Sequence, residues 1–473
     1  MLRRACSEKD MGLLGWNTAP EGGAAWLGWR APGQTARQLR WGADFFLPGQ
    51  SLPSFAMEVL PQPGAHGWED PRGLVHHEMR GPMHLPPGLQ AFSHALFQST
   101  RVRMQPGHRI GLIENGDIFD AIVEEIRRAT RSVNIAVFIW RPSEPSERII
   151  EALLERARAG VTCRVVVDAV GSEEVRGDHD FDEKVEPRLR AGGVEVHYFR
   201  LLAGKWLGRF AGRNHHKLVV VDGEVGFTGG FGIWRSWLGQ GDQPDNWRDS
   251  NVRFEGPAVR ELQLAFARLW QESGGSLLPE SDFPELPEAG PCQAAFIESI
   301  GASGISEIER MHRLVFAAAR HRLWITNAYF TPPKAVLEQL LAKRRQGVDV
   351  RVLAAGPIHD WPIVRASQRS TYERMLLGGI RMWEYQPSMM HAKTVIVDDW
   401  LSVVGSTNLD ALSFHRMREG SLVIADRKFT SRLEQSWHRD ILRSREVEIA
   451  HGGRTNPWRR LARRVTQAFS FDR

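Results

Sequence analysis

After Arg101, the apolar residues of the chain follow two alternating periods. Stretches with apolar residues at helical spacing, such as residues 118–130, are followed by short and almost entirely apolar runs, such as residues 132–140. Helical spacing predicts amphipathic helices, and short apolar runs bounded by turn residues predict buried strands. Because helices and strands alternate regularly, the pattern indicates an α/β sheet protein.

The same series of helices and strands occurs twice along the chain. Three ordered pairs of residues mark the repeat, at offsets of roughly 176 to 187 residues: Gly160 and Gly347, Gly193 and Gly379, His215 and His391. Ordered matches at a nearly constant offset indicate two copies of one fold. The chain is therefore predicted to form two tandem α/β lobes.

Composition divides the chain into five segments. Residues 1–100 are rich in Gly, Pro, Trp and His, which predicts a poorly ordered N-terminal extension. Residues 273–293 are rich in Pro, Gly and acidic residues and predict a linker between a first lobe, 101–272, and a second lobe, 294–450. Residues 451–473 predict a basic amphipathic tail, which suits either an anionic lipid surface or docking on its own domain.

Composition and charge narrow the class of protein. Apolar residues make up 42% and charged residues 25% of the 473 residues, which is typical of globular proteins. The net charge of +5 is compatible with phosphate-bearing partners, whether lipid or nucleic acid. Three scattered cysteines argue against a disulfide framework, and no Cys/His cluster suggests a metal site. No apolar run is long enough to span a bilayer, so any membrane contact is expected to be peripheral.

One motif, H-x-K-x4-D, occurs once in each half. Its residues are His215, Lys217 and Asp222 in the first copy and His391, Lys393 and Asp398 in the second. The residues between lysine and aspartate are strand-like, so histidine and lysine lie on one face of a strand. A turn of small residues follows each copy, starting at Gly229 and Gly405, and its N–H groups can hold an anion.

The two copies together contain the groups that phosphoryl transfer through a covalent intermediate requires. These groups are a neutral nucleophile, a protonated acid for the leaving oxygen, and fixed positive charge for the phosphate oxygens. An imidazole pKa of about 6.5 allows one histidine to be neutral while the other is charged. We therefore expect the two motifs to face each other across a pseudo-twofold axis, in one active site at the lobe interface, with no metal or other cofactor.

The paired motif resembles the phospholipase D superfamily. Residues 246–270, 327–333 and 405–414 are further similar to its bacterial cardiolipin synthase branch. The resemblance implies two pseudo-twofold-related α/β sandwich lobes with the active site at their interface. It also implies that two phosphatidylglycerols become cardiolipin and glycerol through a phosphatidyl-histidine intermediate.

The resemblance also implies roles for the histidines and lysines. His215, as the first histidine, would be the nucleophile, and His391 would be the general acid and later the base that activates the acceptor alcohol. The pseudo-symmetry leaves the reverse assignment open. Lys217 and Lys393 would flank the phosphate as positive charges.

The remaining site residues are carboxylates and one amide. A downstream carboxylate from each half, Asp249 and Glu419, would orient the histidine of the opposite half. Asn408 would lend its amide to the phosphate. Asp222 and Asp398 complete the motif, but we expect them to hold the local loop rather than to contact substrate.

Three alternative functions remain open: a phospholipase D that hydrolyses phospholipid to phosphatidic acid, a phosphodiesterase or nuclease, and a non-catalytic lipid-binding protein. The sequence lacks a basic groove interleaved with aromatic residues, so nucleic acid is not an expected partner. Two complete motifs argue against a degenerate site. The expected partners are an anionic phospholipid substrate, phosphatidylglycerol, and a membrane surface. The expected location is peripheral, on the cytoplasmic side of the cell membrane.

Overall fold

The computed structural model describes residues 88–172, 181–199, 212–300 and 305–448. The predicted tail, 451–473, and residues 1–87 of the predicted extension lie outside these ranges. The first of two lobes has seven strands: β1 (Gln105–Glu114), β2 (Ser132–Val137), β3 (Thr162–Asp168), β4 (Glu195–Phe199), β5 (Leu218–Val221), β6 (Val225–Gly229) and β7 (Ser250–Glu255). Six α-helices accompany these strands. One precedes β1, four lie between strands and the last follows β7: α1 (Leu89–Thr100), α2 (Asp117–Arg128), α3 (Glu144–Arg158), α4 (Ala169–Ser172), α5 (Glu186–Ala191) and α6 (Val259–Glu272).

The second lobe repeats this series and adds a short final strand. Its strands are β8 (Cys292–Ser299), β9 (Arg322–Asn327), β10 (Asp349–Ala355), β11 (Arg381–Tyr385), β12 (Thr394–Val397), β13 (Leu401–Gly405), β14 (Glu419–Ala425) and β15 (Ser444–Glu446). Its helices are α7 (Glu307–Ala318), α8 (Lys334–Arg345), α9 (Pro362–Leu377), α10 (Ala411–His415) and α11 (Arg427–Ile441).

The strands form one 15-stranded sheet in the order β15-β11-β10-β9-β12-β13-β14-β8-β1-β7-β6-β5-β2-β3-β4. The antiparallel pair of β1 and β8 lies where the lobes meet. Read outward from this pair, the strands of both lobes follow the same order, and in both lobes three strands near the outer edge are parallel. The prediction of two pseudo-twofold-related α/β lobes is therefore confirmed.

The glycines that revealed the repeat lie just after helices. Gly160, Gly193, Gly347 and Gly379 have φ of 87°, 88°, 88° and 80° and follow α3, α5, α8 and α9. A helix commonly ends with a residue in the left-handed conformation, which glycine adopts without steric cost. The same helix-to-strand turn is thus built twice in each lobe.

Three apolar cores are formed by the described residues. One lies on the outer side of each lobe, and the third contains residues of both lobes. In the shared core, Trp270 of α6 and Trp437 of α11 are buried together with Phe254 and Tyr385 from the two parts of the sheet. Burial of large aromatic side chains is among the strongest apolar contributions to packing. The shared core therefore keeps the two lobes in a defined orientation.

Residues 89–100 differ from the prediction of a poorly ordered extension, because they form helix α1. Phe92 and Leu96 are spaced four residues apart and are 0% exposed. Both belong to the outer core of the second lobe, and Phe92 packs edge-on against Trp400 with ring centroids 5.9 Å apart. An i, i+4 apolar pair forms one face of a helix, and burial of that face stabilises α1.

The predicted linker, 273–293, begins directly after α6 ends at Glu272, and its last two residues belong to β8, which begins at Cys292. It contains one short 3-10 turn, Glu280–Asp282. Asp282 forms an ion pair of 2.7 Å with Arg164 of β3, and the two side chains are 4% and 9% exposed. This stretch is therefore attached to the first lobe. In the described ranges, none of the helices has the length and apolarity that crossing a bilayer requires.

Candidate active site at the lobe interface

Each motif lysine directly precedes a fully buried strand, β5 in the first lobe and β12 in the second. β5 is antiparallel to β2, and β12 is antiparallel to β9. The histidine and lysine therefore lie at the carboxyl ends of the parallel strands, which is the edge where open α/β sheets bind ligands.

Backbone hydrogen bonds join each motif to the opposite lobe. The N–H of His215 donates to the carbonyl of Arg418 at 2.9 Å, and the N–H of His391 donates to the carbonyl of Arg248 at 2.8 Å. The contacts are equivalent, because each histidine pairs with the residue just before a carboxylate of the other lobe. His215 and His391 are 6% and 4% exposed, so both imidazoles are held inside the interface.

Each imidazole also contacts a carboxylate of the opposite lobe. Nδ1 of His215 lies 2.9 Å from Oε1 of Glu419, and Nδ1 of His391 lies 2.9 Å from Oδ2 of Asp249. Both carboxylates are 0% exposed. A carboxylate at Nδ1 orients the ring, sets its tautomer and stabilises the imidazolium form. Neither carboxylate occupies an Nε2 atom.

Two further groups support these carboxylates, and the sequence did not reveal them. The indole N–H of Trp237 donates to Asp249 at 2.8 Å, and the hydroxyl of Ser406 donates to Glu419 at 2.5 Å. Gly230 stands at the position equivalent to Ser406, and a Cβ there would lie 2.3 Å from an Asp249 oxygen. A side chain does not fit at this position, so a tryptophan from elsewhere supplies the hydrogen bond in the first lobe.

The motif lysines lie beside the imidazoles. Nζ of Lys217 donates to the carbonyl of His215 at 2.7 Å and lies 5.6 Å from the ring centre of Phe138. Nζ of Lys393 lies 3.0 Å from Nδ1 and 3.1 Å from Nε2 of His391. Positive charge in a buried site stabilises the oxygens of a reacting phosphate. Among the described residues, no group of three or more His, Cys, Asp or Glu side chains has an arrangement that could hold a metal ion.

Burial changes the protonation of the site. Loss of solvation, together with the charge of Lys393, lowers the pKa of His391 to about 4, and loss of solvation lowers the pKa of Lys393 to about 8. For the same reason the pKa values of His215 and Lys217 lie well below their ordinary values. Burial raises the pKa of Glu419 to about 8. A bound anion would offset the lowered pKa values of the imidazoles and lysines, because it stabilises their charged forms.

Anion binding is therefore expected to take up protons. The pKa of His391 is about 4 in the empty site and rises when an anion binds, so the complex holds more protons than the free protein. Affinity for sulfate, which does not titrate in this range, should increase as the pH falls from 7.5 to 5.5. Calorimetry in buffers of different ionisation enthalpy measures the uptake directly, and the variant His391→Gln should take up fewer protons. A sulfate affinity that is unchanged or weaker at pH 5.5 would contradict this protonation scheme.

The motif aspartates lie at the other ends of β5 and β12, away from the histidines. The carboxylate of Asp222 accepts backbone N–H groups of the loop before β2 at 2.7 to 2.9 Å, from Thr130, Arg131 and Ser132. In the second lobe, the carboxylate of Asp398 accepts hydrogen bonds of 2.8 to 3.1 Å from the backbone N–H groups where β9 begins, those of Arg320, His321 and Arg322. Both aspartates have positive φ, 54° and 49°. Both carboxylates therefore bind the backbone where β2 and β9 begin, at the ends of β5 and β12 opposite the histidines.

The turns after the motifs are unequal. Asn408 is 3% exposed, and its Oδ1 has no hydrogen-bond partner among the described residues. Gly232 stands at the equivalent position of the first lobe, where a Cβ would lie 2.8 Å from the ring of Trp237. Only the second lobe therefore offers an amide at this position.

Two arginines support the strands that carry the carboxylates. Arg248 donates to Asp440 at 2.8 Å and to Glu114 at 2.7 Å, and Arg418 forms a bidentate pair with Glu272 at 2.6 and 2.7 Å. Asp440 and Glu272 belong to α11 and α6, each in the lobe opposite its arginine. These two arginines could have been found from the sequence, because an arginine directly precedes the site carboxylate in both halves.

A two-lobed α/β fold with one imidazole, one lysine and one carboxylate from each lobe defines the phospholipase D class of phosphodiester-processing proteins. The family model described as "Cardiolipin synthase, PLD-like domain" matches residues 122–270 and 314–441, and the chain belongs to this family. The resemblance to the cardiolipin synthase branch is thereby confirmed.

Named relatives agree with this family. Cardiolipin synthase A of Pseudomonas putida is 34% identical over 370 residues, which cover 77% of this chain and 74% of the relative. Cardiolipin synthase A of Pseudomonas aeruginosa (strain LESB58) is 35% identical over 360 residues, which cover 74% of this chain and 71% of the relative. The crystal structure of phosphatidylserine synthase from Haemophilus influenzae Rd KW20 has a similar fold, with a TM-score of 0.59 and 14% identity over 80% of this chain and 96% of that chain.

Proposed function

We propose that this protein is a phosphatidyltransferase that makes cardiolipin from phosphatidylglycerol or a related phospholipid donor. The proposal depends on one observation: two buried imidazoles, each bonded at Nδ1 to a carboxylate of the opposite lobe, are gathered in one interface. The family and the relatives named cardiolipin synthase A support this choice of substrate.

In the first half of the proposed reaction, Nε2 of His215 attacks the phosphorus of phosphatidylglycerol. The bond between phosphorus and the glycerol oxygen breaks, and His391 gives its proton to that oxygen. Lys217 and Lys393 stabilise the negative charge on the remaining phosphate oxygens. Because the pKa of His391 is about 4 in the empty site, the bound phosphate must raise this pKa for His391 to act as the acid.

In the second half, a hydroxyl of a second phosphatidylglycerol gives its proton to His391 and attacks the phosphorus. The bond between phosphorus and His215 breaks, and its electron pair returns to Nε2. The products are cardiolipin and the glycerol released earlier. Glu419 would stabilise the charge that forms on His215, and Asp249 would stabilise the charge on His391.

The place of action follows from the substrate. Phosphatidylglycerol resides in a bilayer, so we propose that the protein works at a membrane surface. We place it on the cytoplasmic side, where reducing conditions keep thiols free. Cys163 and Cys292 are free, buried thiols, which supports that side.

The test is incubation of the full chain with phosphatidylglycerol labelled in the acyl chains, followed by mass spectrometry of the lipids. We expect labelled cardiolipin and free glycerol. Label in phosphatidic acid alone would favour the hydrolase, and cleavage of DNA without lipid turnover would favour the nuclease. A second incubation with added phosphatidylethanolamine shows whether another headgroup is accepted.

A further inference from the structure

His391 has polar neighbours that are not matched at the equivalent positions beside His215. The ring edge of Tyr329 faces His391, with centroids 6.3 Å apart and an interplanar angle of 85°. The phenol of Tyr329 donates to Oδ2 of Asp360 at 2.5 Å. Tyr329 follows β9, and Ile139 has the same place after β2. The aromatic neighbour of His215 is Phe138, at 5.2 Å, which has no hydroxyl.

A second imidazole completes this group. His359 lies in the loop between β10 and α9 and packs on Tyr329, with ring centroids 5.5 Å apart. Its Nδ1 lies 3.3 Å from Oδ1 of Asp360 and accepts the N–H of Trp361 at 3.0 Å. The side chain is 1% exposed, and among the described residues its Nε2 has no hydrogen-bond partner. A buried polar atom without a partner is costly, and a ligand hydroxyl would satisfy it.

The charge of the group favours an alcohol over a second phosphate. Burial acts to raise the pKa of Asp360, but the contact with His359 and the hydrogen bond from Tyr329 more than offset it and hold that pKa below its usual range. The carboxylate is therefore ionised and 20% exposed. An ionised carboxylate accepts hydrogen bonds from hydroxyl groups and repels phosphate oxygens.

We propose that Tyr329, His359 and Asp360, here called the acceptor cluster, bind the glycerol headgroup of the acceptor lipid beside His391. The inference rests on the proposed function and names the part of the site that selects the alcohol. The cluster orients one hydroxyl so that its proton passes to His391 while its oxygen forms the new bond to phosphorus. The bond from phosphorus to Nε2 of His215 then breaks, and the electron pair returns to that nitrogen. By microscopic reversibility, the glycerol that leaves in the first half reaction occupies the same place.

The experiment is a competition between two alcohols. The full chain receives phosphatidylglycerol together with equal concentrations of deuterated glycerol and methanol, and mass spectrometry gives the ratio of deuterated phosphatidylglycerol to phosphatidylmethanol. Methanol has one hydroxyl and lacks the other two of glycerol. We expect the variants Tyr329→Phe and Asp360→Asn to lower this ratio about tenfold, because each loses a hydrogen bond to the additional hydroxyls.

The matched control is Tyr372→Phe. Tyr372 is a buried tyrosine of the same lobe whose oxygen accepts a hydrogen bond from Gln368, and its loss should leave the ratio unchanged. Structural damage slows both products equally, so a general loss of activity at an unchanged ratio in Tyr329→Phe and Asp360→Asn would overturn the inference. If the unsubstituted protein forms neither cardiolipin nor either alcohol product, that result would overturn the proposed function itself.

Discussion

Replacement of either His215 or His391 by alanine is expected to lower cardiolipin formation by about 10³-fold or more, because each imidazole carries a separate step of the transfer. Neither ring can substitute for the other, since each is bound to a different carboxylate and held by a different lobe. The measurement is the initial rate of labelled cardiolipin formation, with folding checked by thermal unfolding. The control is His312→Leu, a buried histidine that bonds to the carbonyl of Ile308 in its own helix.

The same two variants assign the nucleophile. With a donor whose leaving group needs no proton, such as a nitrophenyl phosphodiester, His391→Ala should still form the covalent intermediate at His215. His215→Ala should form none. Label retained on His391 in the variant His215→Ala would reverse the assignment, and rapid cardiolipin formation by either variant would refute a mechanism with two histidines.

The second large effect is expected at the carboxylates. Glu419→Gln and Asp249→Asn should each lower the maximal rate by roughly 10²- to 10⁴-fold, since an amide cannot become the anion that stabilises the imidazolium and does not set the same tautomer. Burial acts to raise the pKa of Asp249, but the hydrogen bond and charge of His391 keep that pKa below its usual range, so a real charge is lost there. The measurement is the maximal rate at saturating phosphatidylglycerol.

The matched controls are the same substitutions at the motif aspartates. Asp222→Asn and Asp398→Asn should leave the maximal rate nearly unchanged and lower the free energy of unfolding by about 1 to 3 kcal/mol, because the amide loses hydrogen bonds to loop N–H groups. Full activity in Glu419→Gln, or lost activity with unchanged stability in Asp222→Asn, would contradict the division between site and loop carboxylates.

Much of this architecture could be read from local patterns. The glycines after α3 and α8 were visible as a repeat because each must adopt a positive φ, which few other residues tolerate. The apolar runs of β5 and β12 were visible because a strand buried on both faces has few polar residues. Helix α1 was missed because Phe92 and Leu96 lie in a segment whose composition otherwise resembles disorder, and a helix of this length depends on its tertiary contacts.

The supporting groups of the site were harder to find. Trp237 reaches Asp249 and Tyr329 reaches His391 only through the folding of their own lobes, and neither Trp237 nor Tyr329 belongs to a motif. Ser406 was visible within its turn, but its bond to Glu419 was not, because nothing in the spacing of residues shows which side chain a serine reaches.

The order of residues alone establishes two copies of one α/β fold and two sets of histidine and lysine at the starts of buried strands, because backbone periodicity and glycine conformation are local properties. The pairing of each imidazole with the carboxylate of the other lobe is a property of the assembled interface. The difference between the two halves is decided by folding within each lobe, where Gly230 leaves room for Asp249 and Tyr329 reaches Asp360. The contacts between imidazole and carboxylate join residues 204 and 142 positions apart in the chain, and only packing of the lobes around their shared core brings them within hydrogen-bonding distance.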